Sequence, residues 1–335
     1  MDVHRIPLGN NIFEGQNNAY LLDGEVTTLI DVGASMPAVR ADLLDGLAAA
    51  DVALSDLDRI LLTHWHTDHC GLAGELQAET GAAVFAHEAD VPLIAGDEDA
   101  KAAVEELRER RFREWGIPGE KLAELDEFRA KFETMTGEVE RVESLREGDR
   151  VAAGDGELGV LHLPGHAAGQ VGFTFERAPD GDATDPSREA FVGDAILPQY
   201  TPNVGGADLR VDRPLKQYVE SLDRLIDCDF DRVWPGHRDP IGDPAARARV
   251  IRAHHVERTR RVVDVLREHG PADAWTVSAH LFGELENIHI LHGPGEAFAH
   301  LDHLAHAGVV ERDGDEYRLI ESDPDVSELF PKTKY

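Results

Sequence analysis

The sequence predicts an α/β protein with a small α+β module at its C-terminal end. Three observations carry this. Apolar, β-prone runs alternate with stretches of helical spacing through about residue 240. One charged, helix-prone stretch interrupts the alternation. Beyond Pro240 the order becomes a long helix, shorter helices and a hairpin. A chain of 335 residues suits one large domain and a small one. We place the first domain at 1–243, with a helical insertion at about 98–137, and the second unit at 244–335.

The elements follow in order. Residues 18–22 and 27–31 are apolar runs parted by Asp23-Gly24-Glu25, a hairpin signal. Residues 39–50 have helical spacing through Val39, Leu43, Leu44 and Leu47. A short buried strand at 60–62 runs into a histidine cluster, a helix at 72–80 follows, and 82–86 is again strand-like. Residues 98–132 read as two helices broken at Trp115-Gly116-Ile117-Pro118. We expect them to cap the site or to form a solvated hairpin. Strand character returns at 159–163, 171–175 and 190–192, with an acidic loop at 179–187. A helix at 215–226 and a strand through Val233 complete the alternation. A long amphipathic helix at 245–268 ends at Gly270-Pro271, then helices at 277–281 and 296–307 precede a hairpin turning at Asp313-Gly314-Asp315. Helix, helix, hairpin is winged-helix order.

Composition narrows the function. The net charge is −32, and only 6 of the 33 basic residues are lysine. Acidic residues interleave with apolar ones along the chain, so they form a surface and not a tail. Such a surface suits very high salt, where screening over a few Å removes self-repulsion. It disfavours nucleic acid, which needs clustered Lys and Arg. Two cysteines, Cys70 and Cys228, give no disulfide framework. With no signal-peptide pattern at the start and no long apolar stretch, a cytoplasmic chain without membrane contact is expected.

The chemistry concentrates in six residues. His64, His66, Asp68 and His69 follow an apolar strand, where a strand-to-helix turn lets close side chains converge. Imidazole and carboxylate are the donors expected for hydrolytic metals. His166, Asp194 and His237 each follow an apolar run and a glycine, which lets the backbone turn and present them at one sheet edge.

This pattern resembles the metallo-β-lactamase superfamily, over roughly residues 1–240. The resemblance implies a four-layer αββα sandwich and two divalent ions, zinc first, with iron or manganese as alternatives. His64, His66 and His166 would hold one ion, Asp68, His69 and His237 the other, and Asp194 would bridge them. Gly193-Asp194-Ala195-Ile196-Leu197-Pro198, Thr201-Pro202-Asn203-Val204 and the 295–310 segment resemble a subgroup with a winged-helix-like C-terminal domain. That subgroup includes thioester hydrolases and an endoribonuclease similar to β-lactamase-like protein 2.

Two metals lower the pKa of a water between them, so that hydroxide exists near neutral pH. Asp68 is the catalytic candidate, orienting that nucleophile and passing its proton on. The leading expectation is hydrolysis of a thioester or related small acyl substrate, in the manner of glyoxalase II. A phosphodiester is the alternative, and a DNA-binding regulator the third reading. The helix at 296–307 contains no Lys or Arg, so it reads as a packing or homodimer contact. Cys70 reads as a small buried residue. The C-terminal histidines read as structural, although His300 and His303 could share a helix face.

Overall fold

The β-prone runs sort into two sheets. The computed structural model describes residues 2–9, 15–130, 135, 137–179, 185–321 and 323–331. The first sheet holds β1 (His4–Leu8), β2 (Asn17–Leu22), β3 (Thr28–Ile30), β4 (Arg59–Leu61), β5 (Ala83–His87) and β6 (Val142–Leu145), paired in chain order. β1, β2 and β3 are antiparallel, and β3 to β6 are parallel. The second sheet holds β7 (Arg150–Ala153), β8 (Gly156–His162), β9 (Val171–Arg177), β10 (Ser187–Gly193) and β11 (Arg232–Pro235), in the order β11-β10-β9-β8-β7. Only its β10–β11 pair is parallel.

Parallel neighbours need crossovers, and helices supply them. α1 (Pro37–Ala49) joins β3 to β4, while α2 (Thr67–Cys70) and α3 (Ala73–Thr80) join β4 to β5. α4 (Val91–Ile94), α5 (Glu98–Glu114) and α6 (Gly119–Ala130) lie between β5 and β6, and α7 (Pro214–Cys228) joins β10 to β11. The chain then runs through α8 (Pro244–His269), α9 (Ala274–Phe282), α10 (His289–His306) and the hairpin of β12 (Val310–Asp313) and β13 (Glu316–Leu319). Among the described residues no helix is long and apolar enough to cross a membrane.

The packing makes four layers, as expected. Alternate residues of a strand face opposite ways. Tyr20, Leu22, Ile30 and Leu61 of the first sheet meet Phe173, Phe175, Phe191 and Trp234 of the second. Leu21, Leu29 and Ile60 turn the other way, onto Val39, Leu43 and Leu47 of α1 and Leu76 of α3. On the far side Ala190, Val192 and Val233 pack with Leu215, Leu222 and Leu225 of α7, in one core that continues into α8–α10. A sheet covered on both faces leaves β2 buried at every position, and its 19–22 part reads as an unbroken apolar run.

The helical insertion is tied to the C-terminal helices. Trp115, at the break between α5 and α6, is buried against Phe298 of α10 with ring centroids 5.6 Å apart. Its carbonyl accepts from the Trp275 N–H at 2.8 Å, and Glu124 accepts from the Asn287 N–H at 3.0 Å. Residues 131–134 and 136 of the expected insertion, and 180–184 of the expected acidic loop, lie outside the described residues.

Some elements differ from expectation. β1, β6 and β7 are short and partly polar, and their pairing partners rather than their own patterns make them strands. α10 begins at His289 rather than 296 and runs through Pro294. Gly293-Pro294-Gly295 reads locally as a break, but tertiary packing overrides it. A Cβ on Gly295 would collide with the Gly206 backbone, so this glycine lets the 205–206 loop lie directly on the helix.

Candidate metal centre

Chain direction alone gathers the donors at one place. His64 lies just beyond β4, His66 caps α2, and Asp68 and His69 occupy that helix. His166 lies in the turn between β8 and β9, and Asp194 and His237 lie just beyond β10 and β11. The two sheets are joined here. The Asn18 N–H donates to the Gly236 carbonyl at 2.8 Å, and the Tyr20 hydroxyl to the Pro235 carbonyl at 2.5 Å.

All seven predicted residues come together in overlapping groups. One donor atom from each of His64, His66 and His166 lies within 4.8 Å of the others. The same holds for Asp68, His69 and His237, and for His64, His69 and Asp194. His66 Nδ1 is 2.9 Å from His64 Nε2 and 3.1 Å from His166 Nε2. In the other half, Asp68 Oδ2 lies 3.4 Å from His237 Nε2 and 3.7 Å from His69 Nε2. Asp194 reaches both halves: Oδ1 is 3.5 Å from His69 Nε2, and Oδ2 is 3.3 Å from His237 Nε2 and 3.8 Å from His166 Nε2.

Glycine makes this approach possible at two places. A Cβ on Gly236 would collide with Asp194 Oδ1 and stand 2.5 Å from His69 Cε1. Gly193 has φ +48, and its Cβ would stand 2.5 Å from Thr63 Oγ1. The glycines before Asp194 and His237 are therefore steric requirements of the site.

Each imidazole is held through its far nitrogen. His66 Nε2–H donates to the Ala207 carbonyl at 3.1 Å, His166 Nδ1–H to the Asn203 carbonyl at 2.9 Å, and His237 Nδ1–H to the Gly15 carbonyl at 3.0 Å. His69 Nδ1–H donates to Asp31 Oδ2 at 2.9 Å. The Thr63 hydroxyl donates to Asp31 Oδ2 at 2.7 Å and so accepts from His64 Nδ1–H at 3.0 Å. These bonds fix each far nitrogen as a donor and turn the five near nitrogens toward one volume. Asn17 Nδ2 donates to Asp68 Oδ2 at 3.1 Å.

The residues fit a pair of cations. His69 Nε2, His237 Nε2 and Asp194 Oδ1 are buried with no hydrogen-bond partner. Buried polar atoms are nearly always paired, and three unpaired ones converging on one place suit a cation. Burial, with neighbouring imidazoles, holds the pKa of His64 well below its ordinary value and that of His66 down to about 4, so both offer neutral nitrogen. Burial raises Asp68 and Asp194, but His69 and His237 outweigh it and keep both ionised. Burial lowers His69 and His237, yet Asp194 and its neighbours raise both on balance. A cation entering that half would displace their protons.

A second network braces the loops. The Arg210 guanidinium donates to Asp90 Oδ1 at 2.7 Å and Asp208 Oδ2 at 2.6 Å, and lies 5.1 Å from the Trp65 ring centroid. Asp208 also accepts from the Trp65 indole N–H and the Ala168 N–H, and Asp90 from the Trp65 and Gly169 N–H groups. One buried charge cluster thus ties the 64–66 turn to the 166–170 turn. Cys70 is no donor to the centre: its thiol donates to the Trp65 carbonyl at 3.0 Å, and burial pushes its pKa up.

Sequence reasoning missed Asp31, Asn17, Thr63, Asn203 and the Arg210 network. A carboxylate closing the apolar run 28–30 was the available signal for Asp31. Asp31→Asn keeps one acceptor oxygen and turns the other into an N–H donor, so it cannot accept from the Thr63 N–H, the Thr63 hydroxyl and His69 Nδ1–H together, and it removes the charge facing His69. It should weaken zinc binding in that half by roughly 10–100-fold, read by competition with a chromophoric chelator. Unchanged affinity would rule out this role for Asp31.

The sequence model described as Metallo-beta-lactamase superfamily matches residues 12–237. A probable metallo-hydrolase, YqjP of Bacillus subtilis, is 28% identical over 315 residues, covering 90% of this chain and 92% of its own. A hydroxyacylglutathione hydrolase of Synechocystis is 26% identical over 249 residues, covering 72% of this chain and 70% of its own. The crystal structure of a metallo-beta-lactamase family protein of Thermus thermophilus superposes with a TM-score of 0.76 at 30% identity, covering 95% of this chain and 98% of that one. The chain belongs to the metallo-beta-lactamase superfamily, as one of its metallo-hydrolases.

Proposed function

We propose that the chain hydrolyses a thioester or related small acyl substrate at a dinuclear centre, with zinc, iron or manganese as the metal. The observation that carries this is the convergence of seven donors with three unpaired buried atoms among them. His64, His66 and His166 would hold one ion, Asp68, His69 and His237 the other, and Asp194 would contact both. Bound there, the ions would make water acidic enough to ionise near neutral pH and polarise the scissile carbonyl.

Asp68 is the residue we assign to proton transfer. His69 and His237 keep it ionised against the effect of burial, and the Asn17 amide fixes Oδ2 at 3.1 Å. It can take a proton from the attacking water and return it to the leaving sulfur, giving a carboxylic acid and a thiol. The likeness to a hydroxyacylglutathione hydrolase over most of both chains supports the acyl reading.

A phosphodiester is the second reading, because the same donors suit attack on a phosphoryl group. Charge weighs against it: the net charge is −32, and no Lys or Arg stands between Glu296 and Ala307. Arg210, packed on Trp65 beside the donors, is already committed to Asp90 and Asp208. We also propose that the acidic surface is an adaptation to high salt.

Two outcomes test these proposals. The metal-loaded chain should hydrolyse acyl thioesters, and Asp68→Asn should lower kcat/KM by roughly 10²–10⁴-fold. Cleavage of phosphodiesters with no thioester turnover would overturn the acyl reading. The melting temperature should rise when KCl is raised from dilute buffer to molar concentration. A flat or falling melting temperature would contradict the salt adaptation.

A further inference from the structure

A second set of donors meets away from the sheet edge, where α8 lies against α10. His255 of α8 and Glu296 and His300 of α10 each place one donor atom within 4.8 Å of the other two. Glu296 and His300 are one helical turn apart and share a face. His255 and His300 have no exposed surface. The face shared by His300 and His303 proves irrelevant: His303 turns away and donates from Nε2 to the Leu329 carbonyl at 3.1 Å.

Thr259 decides which nitrogen of His300 is free. Its hydroxyl donates to the His255 carbonyl one turn back at 2.8 Å. It must therefore accept at 2.7 Å from His300 Nδ1–H, which leaves His300 Nε2 a bare lone pair. That lone pair lies 3.4 Å from His255 Nδ1. The separation is long for a hydrogen bond. It is close to the ~3.3 Å between two nitrogens bound tetrahedrally to one ion at 2.0–2.1 Å. His255 Nε2, the ring nitrogen that does not approach His300, is buried with no partner and would carry the proton when Nδ1 offers its lone pair. Burial also keeps His255 neutral, pulling its pKa down to about 3.

The carboxylate is held as ligating carboxylates usually are, by donors behind it. Arg258 pairs with Glu296 Oε1, and Asn203 Nδ2 donates to Oε2 at 3.3 Å. A cavity of about 360 Å³, lined by Asn203, Arg258, Phe282, His289, His292 and Glu296, opens beside the carboxylate, on a side that His255 and His300 do not line.

We propose that His255, Glu296 and His300 bind a third divalent ion, of the zinc class, which fastens the C-terminal helices to the catalytic loops. Asn203 is the link. Its side chain donates to Glu296 and, at 3.1 Å, to the His292 carbonyl, and its own carbonyl accepts from His166 Nδ1–H. The Arg258 charge opposes a cation, so this ion binds more weakly than those at the sheet edge and leaves first on chelation.

Equilibrium dialysis of the full chain against micromolar zinc, followed by metal analysis, tests the site without reference to activity. The expected content is three ions per chain, falling to two in His255→Gln/His300→Gln. Because that variant alters a buried contact, a second one breaks all three donor groups of the sheet edge instead. His64→Ala/His69→Ala/Asp194→Ala should retain an ion that is lost on adding His300→Gln. Three outcomes would overturn the proposal: two ions in the unaltered chain, three in the His255→Gln/His300→Gln variant, or none in the sheet-edge variant.

Discussion

Asp31 stands at the end of β3 with φ +53, a backbone conformation uncommon for a residue with a side chain. Its Oδ1 accepts from the Thr63 N–H at 2.8 Å, and its Oδ2 from both the Thr63 hydroxyl and His69 Nδ1–H. One buried carboxylate therefore joins the ends of β3 and β4 to α2 and orients His69 directly. Through Thr63 it also orients His64. Those two rings belong to different halves of the centre, so their relative position depends on this single acceptor.

The remaining donors are placed by the seam between the sheets. Tyr20, Asn18 and Asn17 extend from β2 to the end of β11 and to Asp68, and so bring His237 next to Asp68. Bare backbone at Gly193 and Gly236 lets Asp194 enter the same volume. The outcome is a group of charged and polar side chains, all buried except the half-buried His66, that are not mutually satisfied. A buried charge is costly unless paired. The fold tolerates this cluster because carboxylates and imidazoles alternate, and cations would complete it. The same logic extends outward through Arg210, whose charge is enclosed by Asp90 and Asp208 and stabilises the turns carrying His66 and His166.

Most of the centre was legible in the chain because its donors sit at fixed local offsets. His64, His66, Asp68 and His69 share one turn, and His166, Asp194 and His237 each follow an apolar run and a glycine. The layered core was legible too, since residues 19–22, 29–30 and 60–62 are short apolar runs within or at the end of β2, β3 and β4. What could not be read depends on distance in space. Asp31 and Thr63 are ordinary residues until the parallel pairing of β3 with β4 places them side by side. Arg210 gains its role only by reaching Asp90, 120 positions away. Glu296 and His300 lie together on the helix expected at 296–307, but His255 comes from another helix altogether. Edge strands such as β7 lack a pattern of their own and exist because a neighbour pairs with them.

The claim that these interactions orient the donors before any ion arrives is tested most directly by anomalous diffraction from zinc-loaded crystals. It predicts two peaks at the sheet edge. One should be bonded to His64 Nε2, His66 Nδ1 and His166 Nε2, the other to Asp68 Oδ2, His69 Nε2 and His237 Nε2, with Asp194 touching both. A single peak there, or His66 bound through Nε2, would contradict it.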